Sequence, residues 1–237
     1  MAIEEIHKHS VFPYIEKHID FLYWSRKNLE RKQKDEKTGI NYSIILMCAC
    51  LIEGKLENDL KELVQHRSNV FNDLEVKDFY KRRINGTVMN KLIDLTEDNI
   101  SRTTGIGNFE SLFKLLSYKR TPEKYSDYAN WEGITVLFNF RNVLAHGREI
   151  SAKRILAWWT DDNWKDEFKG GYSTTEKYLI KKKFIKKGVI ENRSAEHLFT
   201  NKVTDHFHSI SKSFLKYHSK IVKQEMKKFT INNIKGI

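Results

Sequence analysis

Apolar residues recur every three or four positions along most of this chain, the spacing that lines one face of a helix. Residues 11–34 carry Ile15, Ile19, Leu22 and Leu29 in that rhythm, and Gly39 is expected to break the helix. Residues 41–66 repeat it more strongly, through Ile44, Ile45, Cys48, Leu51, Ile52, Leu56, Leu60 and Leu63. A third helix is predicted over 76–102, weakened by Asn85-Gly86. Gly105 and Gly107 mark a loop, after which Asn108 is expected to cap a short helix ending at Ser117. Thr121-Pro122-Glu123 reads as a helix start, and residues 131–146 as the helix that follows, with Gly147 where a C-cap glycine belongs.

The pattern then changes. Residues 161–175 are polar and contain glycine, which predicts a loop. Residues 155–159 and 177–187 alternate enough to suggest a small β-hairpin. Helical spacing returns over 195–229, where Phe199, Val203, Phe207, Ile210, Phe214, Tyr217 and Ile221 form an apolar stripe. Lys212, Lys216, Lys220, Lys223 and Lys227 form a second stripe on another face. The expected fold class is therefore all-α: a helical bundle with a β-hairpin insertion between the 131–146 helix and the long last helix. With two prolines and no Ser/Gly/Pro-rich linker in 237 residues, a single domain over 1–237 is expected, its insertion at about 150–194.

Charge adds a direction to this picture. The net charge is +11, and residues 176–237 hold 15 Lys/Arg against 5 Asp/Glu, while the remainder is nearly balanced at 27 against 26. A charge excess gathered in one quarter of a chain points to a polyanion partner, nucleic acid above all. The competing reading is a solvated lysine-rich helix that only keeps the protein soluble. Cys48 and Cys50 diverge on a helix, so no disulfide is expected and a reducing cytoplasm fits. Residues 1–10 are polar and read as no secretory signal, and the apolar run at 44–52 is too short to span a bilayer, so no membrane partner is expected.

The candidate chemistry sits at 138–148, F-N-F-R-N-V-L-A-H-G-R. Arg141 offers a planar fork of donors for a phosphate, and His146 moves protons near neutral pH. On an ideal helix these two differ by about 140° in azimuth, whereas Asn139, Asn142 and His146 cluster within roughly 60°. One helix alone therefore does not bring Arg141 and His146 together; a second copy packed about a two-fold axis would. Glu53 lies in an apolar run and wants a cationic partner, for which Arg141 and Arg148 are candidates. Asp205, His206 and His208 invite a metal reading, but the two histidines diverge on a helix, so no metal site is expected. Gly105-Ile106-Gly107 lacks the strand and later glycine of a phosphate-binding fingerprint. Trp158, Trp159 and Trp164 suit either base stacking or packing.

This motif resembles the signature of HEPN domains, all-α modules of prokaryotic defence and RNA processing, in which an arginine followed by a polar residue precedes a histidine by a few positions. Arg141, Asn142 and His146 match position by position. Leu51-Ile52-Glu53-Gly54 is similar to the preceding core helix, and an insertion followed by a long helix is similar to members linked to abortive infection. A variant of the family carries tyrosine two positions after the histidine; Arg148 stands there here, which argues against that variant.

The resemblance implies a metal-independent, cofactor-free endoribonuclease whose cleft is shared across a homodimer. Arg141 would hold the scissile phosphate, His146 would act as general acid or base, and Asn142 would orient the histidine or bind a phosphate oxygen. Asn139, Glu53 and Arg148 would support the site. Lys181, Lys182, Lys183, Lys212, Lys216 and Lys220 would bind the RNA backbone. A toxin or antiviral role is implied, with an antitoxin or sensor as a further partner. The alternatives are a HEPN-fold module that dimerises or binds RNA or a partner without cutting, and a helical nucleic-acid-binding protein whose motif is accidental.

Overall fold

In a computed structural model the described residues are 12–30, 33–75, 82–117, 125–145, 152–156, 164–168, 171–186 and 195–228. Among them are seven α-helices: α1 (Phe12–Asn28), α2 (Lys34–Glu75), α3 (Arg82–Arg102), α4 (Ile106–Leu116), α5 (Trp131–Ala145), α6 (Gly171–Lys181) and α7 (Asn201–Lys228). Two strands, β1 (Ala152–Leu156) and β2 (Trp164–Phe168), pair antiparallel with Ala152 opposite Phe168 and Leu156 opposite Trp164.

Four local expectations need correcting. Gly39 does not end a helix; α2 begins at Lys34 and runs straight through it. Asp35 and Glu36 favour the first turn of α2 against the helix dipole, and Gln33 Oε1 accepts the Glu30 N–H at 2.9 Å. Asn108 is not the cap of α4, because Gly105 stands there with φ of 83°; Asn108 Nδ2 instead donates to the Thr104 carbonyl. The expected loop at 161–175 contains β2 and the start of α6. Finally, the hairpin pairs β1 with β2 rather than with 177–187, which lies largely on α6. The buried set Thr175, Glu176, Tyr178 and Leu179 is spaced for a helix face, and that burial overrides the impure alternation. The helix start at 121–123 and Gly147 lie outside the described residues.

The chain divides into two compact units, neither of them continuous in sequence. The first comprises Met1–Glu16, Leu51–Tyr128 and Leu215–Ile237; the second comprises Lys17–Cys50 and Ala129–Phe214. All eight periodic positions of α2 are buried, as the spacing predicts. By length and a mean hydropathy of 1.4, Lys34–Asn69 would suffice to cross a bilayer. Its periodic apolar side chains are buried, while Leu46, Met47 and Cys50 are part-exposed.

In the first unit, Leu56, Leu60, Leu63, Ile100, Phe109 and Phe113 build the core around a polar cluster. There Asp59 meets Lys55 one helical turn away, and the His218 Nε2 lies 3.4 Å from Asp59 Oδ2. Tyr125 meets the His218 ring edge-on at 5.5 Å. In the second unit, Ile45, Leu137, Phe140, Leu179, Val203 and Phe207 form the core. Asn41, 2% exposed, is its polar hub. It accepts from Arg26 Nη1 at 2.9 Å and donates to the Phe199 carbonyl at 2.6 Å and Asn201 Oδ1 at 2.9 Å. Arg26 also binds Asp205 at 2.7 Å, so α1, α2 and the start of α7 are tied by one network whose members satisfy one another.

Candidate functional site

The motif helix α5 lies wholly in the second unit. Ile134, Leu137, Phe138, Phe140 and Leu144 are buried, and the Phe140 ring packs at 5.6 Å from Phe199 and 6.2 Å from Phe207. Burial of these rings fixes the rotation of the helix. Asn142 is thereby exposed, while Asn139 and Arg141 are half-buried. Arg141 Nη1 donates to Asn142 Oδ1 at 3.1 Å, so the amide steadies the neighbouring guanidinium.

The end of the helix is held from elsewhere. The Tyr42 hydroxyl donates to the Leu144 carbonyl at 3.0 Å, satisfying one of the orphan acceptors of the last turn. That carbonyl therefore does not depend on a motif side chain for its hydrogen bond. His146 and Arg148 lie outside the described residues. Glu53 belongs to the first unit, where its Oε1 accepts the Gly105 N–H at 3.3 Å and so braces the start of α4.

Between α5 and α6 lies a cleft of about 350 Å³, lined by Glu132, Thr135, Val136, Thr174, Lys177, Tyr178 and Lys181. Its floor is unusually fixed. Tyr178 Oη is hydrogen-bonded to His206 Nε2 at 2.7 Å, and Phe184 lies against the same imidazole at 4.4 Å. Burial, with Lys182 nearby, depresses the His206 pKa to about 4, so the ring is neutral near pH 7. Gly133 makes this arrangement possible: a Cβ there would stand 2.5 Å from Tyr178 Oη and 2.8 Å from Ile210 Cδ1. At the rim, Lys181 Nζ reaches both Glu132 carboxylate oxygens, at 2.9 and 3.0 Å. The sequence pattern did not point to Tyr178 or this cleft, and it offered His206 only as a metal candidate. The one available signal was a glycine inside an apolar helix, which marks a close approach.

Lysines at the end of α6 and along α7 are exposed. Lys181, Lys182 and Lys183 are exposed where α6 ends. Lys183 has φ of 59°. The Lys183 and Phe184 amides donate back to the Ile180 and Leu179 carbonyls, both at 2.9 Å, which is a Schellman closure with lysine where glycine usually sits. Lys202 Nζ holds the Lys183 carbonyl at 3.1 Å. On α7, Lys212, Lys216, Lys220, Lys223 and Lys227 are all exposed. Their azimuths lie within about 80° and point opposite the buried face. The two carboxylates of α7 are Asp205, paired with Arg26, and Glu225, which is buried. From Ser209 onward the exposed face therefore carries cations and no carboxylate.

Among the described residues no group of His, Cys, Asp and Glu is arranged to hold a metal. Asp205, His206 and His208 turn to separate partners, respectively Arg26, Tyr178 and the Tyr23 ring. Trp158 and Trp159 lie outside the described residues, and Trp164 opens β2. Compared with known proteins, the chain matches no family model, no curated protein and no solved structure.

Proposed function

We propose that this protein is a metal-independent endoribonuclease of the HEPN type, working as a homodimer and serving as a toxin or antiviral effector in the cytoplasm. The observation that carries the reading is the Arg141–Asn142 pair at the end of α5, a guanidinium hydrogen-bonded to its neighbour's amide oxygen. The carboxylate-free lysine face of α7 supports it, since repeated cations on one helix suit a phosphate backbone.

In this scheme a ribose 2′-OH attacks the adjacent phosphorus in line. The P–O5′ bond breaks, leaving a 2′,3′-cyclic phosphate and a 5′-OH end. One His146 takes the 2′-OH proton and its copy across the dimer gives a proton to the leaving 5′ oxygen. Arg141 stabilises the charge that gathers on the non-bridging oxygens. On an ideal helix Arg141 and His146 would stand about 140° apart, so two copies of the motif would supply what one does not.

The test is incubation of purified protein with tRNA, mRNA and ribosomal RNA in EDTA, beside Arg141→Ala and His146→Ala. Cleavage by the unaltered chain alone, leaving cyclic phosphate ends, is the expected result. Intact RNA of every class, with RNA binding retained, would remove the nuclease and leave the second reading, a HEPN-fold module that binds RNA or a protein partner such as an antitoxin or sensor. One feature favours that reading: Phe21 and Trp24 of α1 are 57% and 63% exposed and stack on each other at 6.0 Å.

A further inference from the structure

The outward face of α1 carries rings where a surface helix usually carries charge. On an ideal helix Lys17, Phe21, Trp24 and Asn28 fall within an arc of about 60°, directly opposite the buried Ile19 and Arg26. Phe21 and Trp24 are each more than half exposed, so both forgo the burial that drives folding. The rotation that exposes them is fixed from the other side. Arg26 is held by Asn41 and by Asp205, and its guanidinium lies 4.4 Å over the Tyr23 ring. Tyr23 in turn packs 4.7 Å from the His208 ring of α7. The aromatic face therefore cannot roll inward without breaking that network.

The rings are also aligned. The exposed His18 ring lies 6.4 Å from Phe21 with 29° between their planes, and Phe21 lies 6.0 Å from Trp24 with 26°. Three nearly parallel rings thus step along α1 as a short ladder, and planar bases stack on such rings whatever their sequence. Cations stand beside it. Lys17 lies within the arc, and Lys212 is one turn beyond His208, which packs on Tyr23 of the same helix. Asp20 and Lys27, at one edge of the arc, offset each other. Planar faces joined by phosphates complement rings flanked by lysines, and single-stranded RNA has both. A second protein surface fits less well. Two rings of about 150–250 Å² each fall short of the ~800 Å² per partner that a stable interface buries. A bilayer fits less well too, because the arc holds no aliphatic side chain to insert.

We propose that the His18–Phe21–Trp24 ladder of α1 is a stacking site for the bases of single-stranded RNA, with Lys17 and Lys212 taking adjacent phosphates. The choice of RNA rests on the nuclease reading, but the stacking is measured without cleavage. A fluorescein-labelled RNA octamer, its DNA counterpart and the RNA duplex would be titrated by anisotropy into the full chain, with His146→Ala throughout so that the RNA stays whole. Beside it stand Phe21→Leu/Trp24→Leu, which keeps the face apolar but removes its rings, and Phe21→Tyr/Trp24→Phe, which keeps the rings. Both positions are exposed, and circular dichroism would verify folding. The leucine variant should bind the single strand about tenfold or more weakly, the loss that one unstacked base brings. The ring-keeping variant should stay within about twofold of the parent, and duplex binding should be the same in all three, because paired bases are already stacked. Single-strand affinity unchanged by the leucines overturns the proposal. An equal loss for the duplex does so as well, and tighter binding of DNA than of RNA overturns the assignment to RNA. If Phe21→Ala/Trp24→Ala instead abolishes sedimentation with phosphatidylcholine–phosphatidylserine vesicles, or turns a dimer into a monomer, while RNA affinity holds, the face belongs to a membrane or a second copy and the proposal falls. With His146 restored, ring-dependent binding in a chain that cuts no RNA keeps the ladder and removes the nuclease; cutting with ring-independent binding does the reverse.

Discussion

At the scale of single residues, Gly133 and Lys183 sit where helix propensity and backbone geometry disagree with the residue chosen. A glycine inside a helix costs about 1 kcal/mol relative to alanine. Gly133→Ala should nevertheless destabilise, by about 1–2 kcal/mol net, because the new methyl would meet Tyr178 Oη at 2.5 Å and that hydroxyl is tied to His206. The check is the urea midpoint of the variant, with Gly133→Ala/Tyr178→Phe measured against Tyr178→Phe alone; the penalty should shrink once the hydroxyl is gone. Lys183 is the reverse case. Left-handed backbone costs a side-chain-bearing residue about 1–2 kcal/mol, so Lys183→Gly should raise the thermal midpoint while weakening RNA binding. Equal or lower stability would mean that the left-handed backbone at this position carries no strain that glycine relieves. Neither position was readable in advance. A tight contact between α5 and α6 is a tertiary fact, and nothing in K-K-K-F says which lysine turns left-handed.

At the scale of elements, what was legible is what depends on period. The α2 positions and the apolar stripe of α7 follow from spacing alone, and nearly all of those side chains are buried. Boundaries failed where local signals conflicted with packing. Gly39 was given the weight of a terminator, yet the favourable first turn at Asp35 and Glu36 lets the helix start earlier and carry the glycine. The segment after α5 failed more fully, since its alternation is shared by strand and helix until burial decides. The candidate site was legible as a motif, through Arg141 and Asn142 on α5, but its cleft was not. The lysine face of α7 was also legible, and it carries a prediction of its own. Replacing Lys212, Lys216 and Lys220 with Gln should weaken RNA binding at low salt and lower the slope of log affinity against log salt by about one per lysine that meets a phosphate. Folding should be nearly unaffected, because all three are exposed. An unchanged slope would return the stripe to a solubility role.

For the whole molecule, the shared property of its two units is burial of neutral histidine. His218 in the first unit is wholly buried and depressed to about 3, by desolvation and then by Lys55; His206 in the second is depressed to about 4, by desolvation and then by Lys182. His208 is shifted down too, again by burial foremost. Each folded value lies below the unfolded one of about 6.5, so between them the unfolded chain binds a proton that the native chain refuses. Stability is then full above about pH 6.5 and declines as pH falls, by about 1.4 kcal/mol per unit for each such histidine. Asp59 and Glu176 oppose this, since burial raises both. They hold protons in the folded state that the unfolded chain has released, which steadies the protein in acid and costs stability as pH rises through their folded values. The large shifts among these groups are those of His206 and His218, both downward, so the balance is a loss of stability below pH 6.5. Chemical denaturation at half-unit steps from pH 8 to 5 should show a plateau and then a fall. His218→Phe, whose ring can pack against Tyr125 and Phe113, should reduce the slope in the falling region by about 1.4 kcal/mol per pH unit. A profile flat down to pH 5, or a slope unaltered by that substitution, would mean that the buried imidazoles take up protons in place, and the polar cluster of the first unit would then be an ionised one.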